Sequence, residues 1–181
     1  MFAHARTAFW YGLQQLPLER RLPILVPDYI CESVLHPLED LGIKASFYPV
    51  DDCFVPDWKV LETLERDEPA CGFLLVHFFG QPQNIKRARK FCDQYGLFLI
   101  EDNSHGHGGK LYGQPLGSFG DIGFSSPRKQ LQCASGGLLY LNGKPVEFKS
   151  EDLSAYPISS TKEFIRRLVR LFPNVKGLIR R

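Results

Sequence analysis

Residues 72–79 read GFLLVHFF, residues 84–95 read NIKRARKFCDQY, and residues 97–102 read LFLIED. The first is an apolar run interrupted only by His77, as expected of a strand covered on both faces. The second is rich in charge and reads as a surface helix. The third predicts another buried strand, Leu97–Ile100, ending in Glu101 and Asp102. Strand, helix, strand in that succession marks a parallel sheet with crossover helices, so the predicted fold class is α/β.

The same reading extends in both directions. Ala8–Leu16 carries apolar side chains at helical spacing and stops before Pro17. Pro23–Val26 predicts a short buried strand, Glu32–Leu41 a helix closed by Gly42, Lys44–Pro49 a strand, and Asp57–Glu65 a helix. Beyond the central unit glycines are dense from Gly106 to Gly123, and Gly113-Gln114-Pro115 predicts the turn of a small hairpin. Ile122–Ser125 and Leu138–Leu141 predict two more strands. Thr161–Leu171 alternates apolar and basic residues at helical spacing. With a boundary near Pro157, residues 1–157 form the expected core and residues 158–181 a basic amphipathic helical tail.

Composition narrows the function. The 181 residues are 44% hydrophobic and 23% charged, the balance of an ordinary globular protein. The net charge of +2 is too small to indicate nucleic acid or membrane by itself. It is unevenly placed: seven basic residues and one acid lie between Lys162 and Arg181, leaving the rest mildly acidic. Such a helix can lie on an anionic surface; more often its apolar face packs on the parent domain and its charges stay wet, which is the reading adopted. The five cysteines are scattered and form no CxxC pair, so they read as reduced thiols. No secretory leader and no apolar run long enough to cross a bilayer is evident. The expectation is a soluble, cytoplasmic protein without nucleic-acid partner or integral membrane segment.

Two residues stand out chemically. Asp102 follows an apolar strand, where an acid is ordinarily a cap or a surface charge. Lys129 follows the strand ending in Ser125, where a lysine is ordinarily solvated. Their joint placement, with Gly136-Gly137 beyond, changes that reading, because loops at the carboxyl ends of neighbouring strands converge in an open α/β sheet.

Four ordered blocks sharpen it: Val76-His77-Phe78-Phe79-Gly80; Glu101-Asp102 with His105 three residues past the aspartate; Gly120-Asp121-Ile122-Gly123-Phe124-Ser125; and Lys129 seven residues before Gly136-Gly137. Over about residues 3–142 the chain resembles the DegT/DnrJ-type sugar aminotransferases, which depend on pyridoxal 5'-phosphate (PLP). The resemblance implies a three-layer α/β/α large domain of PLP fold type I with a mostly parallel sheet, and a small C-terminal domain absent. It implies Lys129 as Schiff-base lysine and proton shuttle, Asp102 as partner of the pyridinium nitrogen, Ser125 as a phosphate ligand, and His105 beside the ring. Thr7, in Ala5-Arg6-Thr7-Ala8, is similar to the family's phosphate-binding helix start, suited to an anion by its exposed N–H groups, though a plain threonine cap reads the same way. Tyr29 is the candidate ring-covering aromatic and could equally be core.

The pattern departs from the family in two places. Ser135 stands where an acid usually precedes the glycine pair, and the Ser125–Lys129 spacing is one residue short, which puts Arg128 beside the lysine as a rival. The implied function is amino transfer, with glutamate as donor, to a keto-sugar that is nucleotide-linked, by a homodimer. The alternative is a truncated, inactive relative acting as a binding or partner protein, or a fragment of a longer enzyme. His77, His105 and His107 match no standard zinc spacing, and no metal site is expected.

Overall fold

The computed structural model describes residues 2–133, 135–142 and 144–145. The chain opens with helix α1 (Ala5–Gln14), strand β1 (Ile24–Pro27), helix α2 (Glu32–Asp40), strand β2 (Ala45–Tyr48) and helix α3 (Trp58–Asp67). Strand β3 (Gly72–Val76), helix α4 (Ile85–Tyr95) and strand β4 (Phe98–Asn103) form the central unit. A hairpin of β5 (Lys110–Leu111) and β6 (Gln114–Pro115) precedes β7 (Ile122–Ser125), β8 (Leu138–Leu141) and β9 (Lys144–Pro145).

Local chemistry sets the helix ends. The Asp57 carboxylate accepts the N–H groups of Lys59 and Val60 at the start of α3, and Asn84 accepts that of Arg87 at the start of α4. The end of α2 is closed by Gly42 at φ 68°, whose N–H bonds the Glu39 carbonyl while that of Ile43 reaches Leu38. This is the glycine-terminated double turn that satisfies last-turn carbonyls, and its positive φ favours glycine.

The large sheet has the order β2-β1-β3-β4-β7-β8-β9. Pairing is parallel from β2 to β7 and antiparallel for β7–β8 and β8–β9. Strand parity sorts its two faces. Leu25, Phe73, Leu75 and Leu99 pack with Trp58, Leu61, Ala88 and Phe91 of α3 and α4. On the other face Phe9 of α1 stacks on Phe124 at 4.6 Å, and Gly12 sits against Ile122 and Leu139. A right-handed crossover places its helix on one face when the chain steps one way along the sheet and on the opposite face when it steps back. The β1-to-β2 step runs one way and the β2-to-β3 and β3-to-β4 steps the other. Hence α2, packed on α1, and the pair α3 and α4 cover different faces. This is the expected three-layer arrangement with a mostly parallel sheet. The reversal falls between β1 and β3, and a crevice outside the carboxyl ends of these two strands is where such sheets bind ligands.

Four expectations need correction. The apolar run at residues 72–79 is strand only to Val76; Phe78–Gly80 forms a short 3-10 turn in which Phe79 takes φ 55°. Glu101 and Asp102 lie inside β4, not past its end, because both carboxylates find partners there. The hairpin turn is Tyr112-Gly113, both at positive φ, and Gln114–Pro115 is the returning strand. The first helix begins at Ala5 with His4 at its cap position, so Thr7 is a first-turn residue and caps nothing. The helix expected at residues 161–171 and the boundary near Pro157 lie outside the described residues.

Candidate functional site

A cavity of about 300 Å³ opens at the β1/β3 reversal. Its wall is built from four strand ends. Tyr29, Cys31 and Val34 follow β1; Val76 to Phe79 close β3; Asp102, Ser104 and His105 come from the end of β4; Lys129 comes from the 3-10 turn Pro127–Lys129 after β7. Asp102, His105, Lys129 and Tyr29 therefore meet in one place. Residues 102 and 129, 27 apart in the chain, face the same hollow because β4 and β7 are parallel neighbours.

Asp102 is 5% exposed. Its Oδ1 accepts the N–H of Ser104 at 2.7 Å. Burial raises its carboxyl above the usual carboxylate range, against the hydrogen bonds of Ser104 and the charges of Lys129 and His105, which favour the anion. His105 lies at the rim, where partial burial and the Lys129 charge lower its pKa against the pull of Asp102. Its Nδ1 faces the backbone N–H of Phe79 at 3.4 Å, and its ring stacks on that of Phe79 at 5.8 Å and 10°. An N–H can only donate, so Nδ1 is the acceptor and the neutral ring carries its proton on Nε2. The Gln130 side chain donates to the His105 carbonyl, joining the lysine turn to this loop.

Tyr29 is 57% exposed and contacts Phe54 and Phe78 at 5.3 and 5.9 Å. Phe54 (φ 60°) and Phe79 (φ 55°) both hold the left-handed conformation, which is unusual for bulky side chains and gathers at functional sites. Arg128 is exposed and is not part of the cavity wall.

Thr7 and Ser125 are not part of that wall either. Thr7 is buried in the first turn of α1, and its Oγ1 has no hydrogen-bond partner. Gly136 bridges His4, and a Cβ on it would stand 3.5 Å from Pro127 and 3.7 Å from Arg128. The start of α1 thus adjoins the turn that carries Lys129. Ser125 Oγ is paired with His107 Nδ1 at 3.0 Å. Where His107 is the donor, the hydroxyl keeps its own hydrogen for another acceptor.

Sequence reading passed over Phe79, His107 and Glu101. Glu101 is fully buried and pairs with His77 at 2.8 Å. Phe79 and Glu101 were signalled only by their membership of the ordered blocks, and His107 only by its place among the histidines weighed for a metal. Among the described residues no group of histidine, cysteine or carboxylate side chains is arranged to hold a metal, and no helix is long and apolar enough to cross a membrane.

Comparison with known proteins bears on the sequence pattern and the fold. The sequence pattern of the DegT/DnrJ/EryC1/StrS aminotransferase family matches residues 3–169. The chain is similar to a UDP-N-acetyl-3-dehydro-alpha-D-glucosamine 3-aminotransferase of Acidithiobacillus ferrooxidans, 28% identical over 83% of this chain and 42% of that one. It superposes on a DegT/DnrJ/EryC1/StrS aminotransferase from Brucella abortus with TM-score 0.69 and 25% identity, covering 77% of this chain and 40% of that one. An E. coli GDP-4-keto-6-deoxy-D-mannose-3-dehydratase with bound hydrated PLP shares the fold, with TM-score 0.66 and 22% identity over 76% and 37% of the two chains. The chain thus spans less than half the length of each, and the expected fold-type-I large domain agrees with both structures.

Proposed function

The chain belongs to the DegT/DnrJ/EryC1/StrS aminotransferase family, and from that membership we propose that it binds PLP and transfers an amino group to a keto-sugar. The observation that carries the reading is the single cavity shared by an amine, a buried acid, an imidazole and an aromatic ring, Lys129, Asp102, His105 and Tyr29. Two features support the cofactor. The Thr7 hydroxyl is buried without a partner at a helix N-terminus, a place suited to an anion. The Asp102 carboxylate is buried with its pKa raised by desolvation, and a further cation beside it would favour its charged form.

Bound there, PLP supplies a ring that accepts electrons from the carbon next to the transferred nitrogen. Asp102 would hold the ring nitrogen protonated. Lys129 would be the amine that anchors the cofactor and carries the proton. His105, with Nδ1 occupied by Phe79, would offer its Nε2–H as a donor to the cofactor. Thr7 and Ser125 would donate to the phosphate, Ser125 with His107 behind it. Tyr29 would be the aromatic against the ring.

The finer reading is that glutamate gives the amine, the acceptor sugar is nucleotide-linked, and the enzyme works as a cytoplasmic homodimer. Residues 1–157 are its cofactor-binding core and residues 158–181 a basic tail. A second reading is motivated by the 42% coverage of the relative: the chain is a binding or partner protein, or one piece of a longer enzyme. Titrating the purified chain with PLP tests both. A visible band of the lysine-bound cofactor that changes when L-glutamate is added supports the first. A band indifferent to any amine, or an unaltered spectrum of free PLP, overturns the first and supports the second.

A further inference from the structure

Two residues of the ordered blocks, His77 and Glu101, have no part in the chemistry above, yet both are completely shielded from solvent. They alternate with residues that do take part. Asp102 points to the cavity face of β4, and Glu101, one residue earlier, points to the other face. There its Oε1 accepts the N–H groups of Phe119, at 2.5 Å, and of Gly120. Its Oε2 pairs with His77 Nε2 at 2.8 Å. The other ring nitrogen, His77 Nδ1, faces the backbone N–H of Gln83 at 3.2 Å. That N–H can only donate, so Nδ1 accepts, the ring proton sits on Nε2, and it is given to Glu101. The Glu101 carboxyl group therefore accepts three hydrogen bonds.

The donors come from two separate stretches of the site. His77 and Gln83 bracket the turn that carries Phe78 and Phe79, and Phe79 orients His105. Phe119 and Gly120 lead into β7, which ends at Ser125 ahead of the Lys129 turn. Glu101 itself adjoins Asp102, whose carbonyl accepts the N–H of His77 at 2.9 Å. One carboxylate thus fixes the relative height of the three strand ends that bring Phe79, Asp102 and Lys129 to the cavity. Stability alone does not call for this arrangement, since a buried hydrogen-bonded pair is commonly no better than apolar side chains of the same shape.

We propose that Glu101, through His77, is a positioning residue that registers the β3, β4 and β7 ends around the cofactor cavity. The proposal rests on the PLP reading given above. It is tested with two substitutions of one side chain. In His77→Gln the amide nitrogen reaches the place of Nε2 and keeps the contact with Glu101, while the contact with Gln83 is lost. In His77→Asn the amide oxygen stands in for Nδ1 and keeps Gln83, while Glu101 loses its partner. Glu101→Gln serves as a third variant, because its amide puts a donor against a donor whichever way it turns.

PLP affinity is read from the visible band, with each protein held well below its own melting temperature. His77→Gln stays within about twofold of the parent, while His77→Asn and Glu101→Gln bind about tenfold more weakly, the scale seen when a supporting hydrogen bond is lost. Equal affinity in all three variants, with losses confined to melting temperature, overturns the proposal. So does equal weakening of His77→Gln and His77→Asn. If Glu101→Gln does not fold, the two histidine variants decide alone. If the parent shows no band, the PLP reading has failed, and amide NMR shifts of the cofactor-free proteins decide the positioning role. His105 and Lys129 must then move in His77→Asn and stay in place in His77→Gln; the reverse, or no movement, overturns it.

Discussion

Replacing Gly137 by alanine should lower stability sharply, and replacing its neighbour Gly136 should not. A Cβ on Gly137 would stand 2.3 Å from the His4 carbonyl oxygen, 2.4 Å from its carbon and 2.7 Å from the Ala5 nitrogen. All three are backbone atoms and none can rotate away. Restoring ordinary contact at 3.4 Å requires the start of β8 to part from residues 2–5 by about 1 Å. Those segments are held by Phe2 N–H to Gly137 O at 2.8 Å and Gly137 N–H to Phe2 O at 2.7 Å. Overpacking costs about 1–3 kcal/mol, and two stretched hydrogen bonds add roughly 1 kcal/mol each when weakened fully. A loss of about 3 kcal/mol corresponds to a drop in Tm of roughly 10 °C for a domain of this size. A Cβ on Gly136 meets the Pro127 side chain at 3.5 Å and the Arg128 nitrogen at 3.7 Å, both ordinary contacts, so its variant should stay within about 0.5 kcal/mol. Thermal melts followed by far-UV circular dichroism compare the two without cofactor. A Gly137→Ala protein that melts with the parent, or a Gly136→Ala protein that melts as low, would refute the packing assigned to the glycine pair.

Three other expectations concern the cavity. The folded Asp102 carboxyl has its pKa raised by burial, so its contribution favours folding at low pH and is lost as pH rises through its folded value. Asp102→Asn should therefore raise the Tm of the cofactor-free protein at pH 7, with the gain shrinking towards about pH 3.9, the unfolded value; a lower Tm at pH 7 would count against the assignment. His105 has its pKa lowered, so its contribution is present above about pH 6.5 and lost as pH falls through its folded value. The Tm difference between the parent and His105→Gln should follow that course, and a difference independent of pH between 4 and 8, as set in the experiment, would contradict it. Thr7→Val removes a buried hydroxyl without a partner, so the cofactor-free Tm should hold or rise while PLP affinity falls about tenfold, the loss expected of one charge-assisted hydrogen bond. A falling Tm with unchanged affinity would show that the hydroxyl serves the fold.

How much of this was legible depended on where the information resides. The limits of β7 and β8 were read to the residue, because each is a short run bounded by turn-forming residues, Asp121 and Ser126 for β7 and Gly137 and Asn142 for β8. The end of β3 was not. Phe78 and Phe79 continue the apolar run, yet one is buried and the other is 62% exposed at the cavity, and hydrophobicity cannot separate a strand interior from a pocket wall. Glu101 and Asp102 were expected beyond β4 because acids rarely sit in a buried strand. They do so here because the distant donors Phe119, Gly120 and His77 hold Glu101, and the neighbouring Ser104 N–H with the cavity charges holds Asp102. The gathering of Asp102, His105 and Lys129 was foreseen from ordered blocks. The pairing of Ser125 with His107 was not, since a contact between residues 18 apart has no periodic signature.

The most direct test of the central claim is to incubate the chain with PLP, reduce it with borohydride, and map the modified peptide by mass spectrometry. The account predicts a single phosphopyridoxyl adduct on Lys129, absent from Lys129→Ala and retained in Arg128→Ala. An adduct spread over other lysines, or one that survives Lys129→Ala at the same yield, would contradict it.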